Sequence, residues 1–191
     1  MKPKTIRAFL ALRLNHEIQN TIQAIQNTFK QLPVDVKWVR PENTHLTLKF
    51  LGDISSEQID LLTPALHALA GSTKSFSLET TGIGAFPSRE RPRIIWLGCR
   101  SEADAAALLT RRVENQLVSF GFERDQNPFT PHITIGRVRS SKNLVLLSTA
   151  IEKAGRSTGL RQDISQIILF QSTLSSCGPS YTPIRTFQLA Q

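Results

Sequence analysis

Hydrophobic and polar positions along the chain follow two rhythms, and the change from one to the other marks the elements. Residues 6–14 carry Phe9, Leu10, Leu12 and Leu14 and predict a strand. Asn15 is a good N-cap, and Ile18, Ile22, Ile25 and Phe29 then recur at helical spacing, which predicts an amphipathic helix ending before Pro33. Residues 36–39 predict a short strand and 40–43 a turn into the run His45-Leu46-Thr47-Leu48, which Gly52-Asp53 closes. Ser55 with Gln58 three residues on has the form of a capping box. It opens a helix lined by Ile59, Leu62, Leu66 and Leu69 and ending at Gly71, with Pro64 expected to kink or interrupt it.

Residues 76–80 predict a strand, 82–93 a loop rich in Gly, Pro and Arg, and 94–97 a buried strand. Ser101 is the expected cap of a helix carrying Ala105, Leu108, Leu109, Val113 and Leu117, with Gly121 just past its end. Residues 122–129 read as a linker into a second run, His132-Ile133-Thr134-Ile135. A shorter helix over 144–154 stops at Gly155, and strands over 164–174 and 181–189 flank a hairpin turn at 175–179. Strands and helices mix without a strict βαβ repeat, so the expected class is α+β, with two similar lobes in one bilobal domain over 1–191.

Within a strand, successive side chains alternate between faces. His45 and Thr47 therefore share one face while Leu46 and Leu48 take the other, and the same holds for His132 and Thr134 against Ile133 and Ile135. One such strand is more often a surface or core feature than a catalytic one. Two copies, 87 positions apart in a chain of 191 residues, point to function. The other two histidines, His16 in a first helical turn and His67 beside an apolar stripe, receive no role.

Composition changes the picture in one respect. A chain that is 40% hydrophobic and 20% charged is ordinary for a globular protein. A net charge of +8, from 23 Lys and Arg against 15 Asp and Glu, favours a polyanionic partner, nucleic acid first, over charge that merely aids solubility. Cys99 and Cys177 are too few for a disulfide framework and are expected as small reduced apolar residues. Lys2, Lys4 and Arg7 precede an apolar run that Arg13 breaks, so no secretory signal is expected; nor does any stretch reach transmembrane length. The expected location is the cytoplasm, with no membrane partner.

Several chemistries find no support around the motifs. No acidic cluster accompanies them for a two-metal site, and neither histidine has a second His or Cys at zinc-ligand spacing. A Gly-x-x-x-x-Gly-Lys loop and a Gly-x-Ser-x-Gly elbow are both missing. What remains is acid–base catalysis by two imidazoles, with no metal and no cofactor. Imidazole titrates near neutrality, so one can take a proton while the other gives one. In-line displacement at phosphorus needs that pair, and threonine hydroxyls can donate hydrogen bonds to the non-bridging oxygens.

The paired runs resemble the two His-x-Thr-x motifs of the two-histidine phosphoesterase superfamily. Within it the chain is similar to the RNA 2′,3′-cyclic phosphodiesterases, historically described as 2′-5′ RNA ligases. The likeness covers nearly the whole length: residues 7–12, 38–44 (Trp-Val-Arg-Pro-Glu-Asn-Thr), 51–53, 92–98 (Pro-Arg-Ile-Ile-Trp-Leu-Gly) and Pro131 also match. It implies antiparallel lobes related by a pseudo-two-fold axis, with helices outside and the site in the cleft between. It further implies that His45 is the proton donor to the leaving ribose oxygen and His132 the proton acceptor that activates water. Thr47 and Thr134 would contact phosphate, and Arg137 would bind it. Arg137 needs the strand to bend at Gly136, since regular alternation points it away from His132. Arg93, in a loop that is either a solvated turn or a phosphate-binding edge, is the second candidate substrate-binding residue. Phe50 holds the place of Arg137 in the first copy, where core packing is preferred to base stacking. The expected substrate is RNA with a 2′,3′-cyclic phosphate end, or a related cyclic nucleotide, acted on by a monomer. A ligase using a 5′-hydroxyl in place of water, or a noncatalytic RNA-binding module, are the alternatives.

Overall fold

Local signals set most of the element starts. The Asn15 side chain accepts a hydrogen bond from the Ile18 amide at 2.9 Å, and Ser55 and Gln58 form both bonds of a capping box. The computed structural model describes residues 5–155, 159–175 and 178–191. In order they form β1 (Thr5–Arg13), α1 (His16–Lys30), β2 (Val36–Trp38), β3 (His45–Ser55), α2 (Ser56–Gly71), β4 (Phe76–Phe86) and β5 (Ile94–Ser101). There follow α3 (Ala105–Val118), β6 (His132–Val138), α4 (Leu144–Lys153), β7 (Arg161–Ile164), β8 (Gln166–Ser175) and β9 (Gly178–Gln188).

The strands join in the order β7-β4-β5-β6-β3-β1-β8-β9, with β2 added on β6 and every pairing antiparallel. The order is symmetric about its centre, where the two motif strands β6 and β3 meet. Outward from β3 come β1, β8 and β9; outward from β6 come β5, β4 and β7. β3 and β6 are joined by a single register pair, Leu46↔Ile133. Beyond it, β2 takes over the free side of β6 at Gly136–Val138. The expected two antiparallel lobes are present, and they exchange strands: β4, which follows the first motif, lies in the lobe of the second, and β8 does the reverse.

Helices cover one face of this curled sheet. Ile18, Ile22 and Phe29 of α1, Leu62 and Leu66 of α2, Leu109 and Val113 of α3, and Leu147 and Ile151 of α4 are buried in one core with Leu46, Leu48, Ile133 and Ile135. A small second cluster of Phe9, Ala11, Ile168 and Phe170, with Tyr181 against it, forms separately. No helix among the described residues is long and apolar enough to cross a membrane. Cys99 is buried, which pushes its thiol up to about 12. Cys177 lies outside the described residues.

Five expectations about elements need correction. Gly52-Asp53 does not close β3, because both residues stay paired with β1 and the strand continues to Ser55. Residues 82–86 are not loop: β4 continues through Gly82 and Gly84 to Phe86. Those glycines mark close approaches rather than turns, since a methyl on Gly84 would overlap the Trp96 indole and one on Gly82 the Gly155 carbonyl. Pro64 does not interrupt α2. It lies on the solvent side with Asp60, whose carbonyl loses its helical donor, while Ile59, Leu62, Leu66 and Leu69 hold the other face in the core. Ser101 ends β5 instead of starting α3 directly; a 3-10 turn at Glu102–Asp104 intervenes, with Ala103 and Asp104 left-handed. Its hydroxyl still accepts from the Ala106 amide at 2.9 Å. Finally, residues 164–174 are not one strand but the end of β7 and most of β8, divided at Ser165.

Gly84 gives a direct test of the packing. Gly84→Ala should destabilise the fold by about 1–3 kcal/mol, because the methyl must displace a ring held between strands. A urea midpoint equal to that of the wild type would show that the close approach carries no such constraint.

Candidate active site

The Leu46↔Ile133 pair fixes what stands on the other face of the two motif strands. In antiparallel register, His45 comes opposite Thr134 and Thr47 opposite His132. The two histidines are then diagonal neighbours, which in a regular ladder are about 7–8 Å apart. All four side chains line one cavity of about 410 Å³.

Each imidazole is oriented by its own strand entrance. His45 Nδ1 lies 2.7 Å from the Asn43 carbonyl and His132 Nδ1 2.7 Å from the Thr130 carbonyl. A carbonyl only accepts, so Nδ1 carries hydrogen in both rings and Nε2 is left for chemistry. Asn43 is held in turn through Nδ2, which donates to the Pro179 carbonyl of β9 at 2.8 Å.

The surroundings of the two rings differ. His45 is boxed by Phe9, Tyr181 and Phe170 at centroid distances of 4.7, 5.1 and 6.3 Å. His132 has Phe86 edge-on at 5.0 Å and Trp96 at 6.5 Å. Burial pushes His45 down to about 4, with the charges of Arg137 and His132 acting in the same direction against the bond to Asn43. Burial therefore keeps His45 neutral at physiological pH.

Both motif strands contain a bulge just past the threonine. In β6 the register runs from Trp96↔Thr134 to Ile95↔Gly136, so Ile135 is the extra residue. In β3 it runs from Ala11↔Thr47 to Leu10↔Lys49, so Leu48 is extra. Two successive residues then face the core, and the next faces the cleft. That slip places Arg137 and Phe50 in the cavity with the histidines, which meets the condition set by strand parity for Arg137. Phe50 does not pack into the core: it is 63% exposed, with Phe9 at 6.0 Å. The same slip turns Lys49 inward, 3% exposed, onto Asp125 at 2.7 Å and Glu114 at 3.1 Å.

Arg93 is not among the residues that line the cavity. It is exposed at the start of β5, with its amide donating to Phe86 and its carbonyl accepting from Val138. Arg7, Lys37 and Arg40, to which the sequence alone assigned no binding role, do line it with Arg137, and no Asp or Glu does among the described residues. Among the described residues no three His, Cys, Asp or Glu side chains cluster as metal ligands would.

A curled antiparallel sheet with exchanged lobes and paired His-x-Thr strands over one basic cleft defines a phosphoesterase of the two-histidine class. The profile of the family described as LigT like Phosphoesterase matches twice, over residues 12–96 and 97–181. The chain belongs to this family. It is 31% identical to an RNA 2′,3′-cyclic phosphodiesterase of Methanothermobacter thermautotrophicus over 96% of this chain and 99% of that one. Another, from Aquifex aeolicus, is also 31% identical over 97% and 98%. Among solved structures, TT0787 of Thermus thermophilus superposes with a TM-score of 0.79 at 26% identity over 96% and 98% of the two chains. E. coli LigT complexed with 3′-AMP gives 0.76 at 27% over 98% and 100%.

The electrostatics predict an unusual titration. The His45 ring should stay neutral from pH 8 down to about pH 5 in the free protein, and phosphate in the cleft should raise its titration point. Its folded value lies below the unfolded value of about 6.5, so its contribution to stability is full above that pH and is lost as pH falls towards 4. Ring resonances followed by NMR check this; a free-protein midpoint near 6.5 would contradict it.

Proposed function

We propose that the protein hydrolyses 2′,3′-cyclic phosphate ends of RNA to 2′-phosphate ends, using His45 and His132 as its acid–base pair. The observation that carries the reading is the convergence of His45, Thr47, His132, Thr134 and Arg137 on one cavity free of carboxylates among the described residues. The names of the relatives support the substrate, and LigT holding 3′-AMP supports a nucleotide in the cleft.

The chemistry needs one proton moved on each side of phosphorus. His132 Nε2 takes a proton from water as its oxygen bonds to phosphorus. The bond to the ribose 3′-oxygen breaks opposite, and His45 Nε2 gives its proton to that oxygen. Water thus supplies hydroxide to phosphorus, and the two rings end with their protonation states exchanged. Thr47 and Thr134 donate to the non-bridging oxygens, where charge grows. His45 must arrive protonated although its burial favours the neutral ring. The bound phosphodiester anion supplies the missing stabilisation, so the acid is charged only when substrate is present. Arg137 neutralises phosphate, while the exposed Phe50 ring offers the base a stacking surface. Arg7, Lys37 and Arg40 supply positive charge along the cleft for the rest of the strand.

With an oligonucleotide ending in 2′,3′-cyclic phosphate, the expected product is the 2′-phosphate end. His45→Ala and His132→Ala should each lower kcat about 10²–10⁴-fold with little change in affinity for the product end. Normal turnover in both variants would reduce the duplicated motif to scaffolding. Release of a joined strand in the presence of a 5′-hydroxyl acceptor, without hydrolysis, would favour the ligase.

Since both catalytic functions are assigned to imidazoles, turnover should survive excess EDTA. Loss with EDTA and recovery with Zn²⁺ or Mn²⁺ would point to a metal site instead.

A further inference from the structure

The apolar stripe of α1 has one polar member. Gln26 is 1% exposed and stands where the helical spacing turns inward, four residues after Ile22. Its Nε2 donates to the Ile135 carbonyl at 2.9 Å and to the Val39 carbonyl at 2.6 Å. Ile135 is the extra residue of β6 against β5, while on the β2 side its carbonyl stays in register. Its other donor is the Val39 amide at 3.0 Å, just past β2. One amide group thus ties the helix to both strands at the point where β6 changes face.

We propose that Gln26 is a positioning residue for the anion site: it holds the Ile135 bulge and through it keeps Arg137 turned into the cleft. Without the helix amide, the Val39 and Ile135 carbonyls are no longer clamped side by side, and β6 is free to relax into regular pairing with β5. Regular pairing restores strict alternation, and strict alternation points Arg137 away from His132. Gln26 touches no substrate atom in this account and acts only through the backbone of β6. The inference rests on the reading that Arg137 binds phosphate.

A double-mutant cycle on the full chain tests it, with inorganic phosphate as probe and binding followed by calorimetry. Gln26→Met and Arg137→Ala should each weaken phosphate binding about tenfold or more, and the double variant should be no weaker than Arg137→Ala alone. Additive losses would overturn the proposal, because a merely structural Gln26 would act independently of Arg137. A crystal structure of Gln26→Met judges placement apart from affinity: the bulge should be gone and Arg137 outside the cavity, and their retention would also overturn it. Should that variant fail to fold, Gln26→Asn, one methylene too short to reach both carbonyls, is read in the same way. Unchanged phosphate binding in Arg137→Ala would instead remove the anion role from Arg137, while the crystal structure would still decide whether Gln26 sets the bulge.

Discussion

The pairing of Leu46 with Ile133 is the constraint on which the candidate site depends. Both side chains are fully buried, so neither strand can slip by one residue without turning its apolar set outward and its histidine inward. One pair is enough because the core specifies it from both sides: Leu48 and Ile135, the next inward residues, are buried beside it. Everything catalytic in the proposal stands on the opposite face of that contact, at positions fixed by alternation. The same brevity lets the sheet open beyond the pair, where β2 replaces β3 on β6 and the cleft has room for a ligand.

In the proposed mechanism, duplicated backbone and unlike side chains let one motif serve two ends of a reaction. Each histidine has the same carbonyl partner two residues upstream and the same threonine two residues on. Packing separates them. Phe9, Phe170 and Tyr181 desolvate His45, whereas the surroundings of His132 come from Phe86 and Trp96. Five residues past each histidine the halves diverge again, into an aromatic ring and a guanidinium. Fold symmetry supplies opposed positions; side-chain chemistry makes those positions unequal.

Much of this was legible in the chain. The two His-x-Thr runs are short-range patterns, as are Asn15 capping α1 and Ser55 with Gln58 opening α2, and short-range patterns survive folding. What was missed depends on contacts between distant segments. Gly82 and Gly84 looked like loop because the Trp96 ring that needs the space at Gly84 comes twelve residues later. The sequence favours core packing over base stacking for Phe50, since nothing in Leu48-Lys49-Phe50 announces a bulge. Ile25 packs against the core as its spacing implies, but the burial of Gln26 beside it is not legible in the sequence, because a buried glutamine has a reason only once Ile135 and Val39 are beside it. Charge and chain position make Arg93 a candidate in the sequence, and the structure leaves it outside the cavity lining.

The exchange of β4 and β8 between lobes has a consequence for how the molecule can be divided. The two profile matches divide the chain into a half carrying β3 and β4 and a half carrying β6 and β8. Neither half closes its own sheet: β1 and β3 need β8 beside them, and β5 and β6 need β4. Dividing the chain between the two matched segments would therefore leave two open sheets rather than two finished domains.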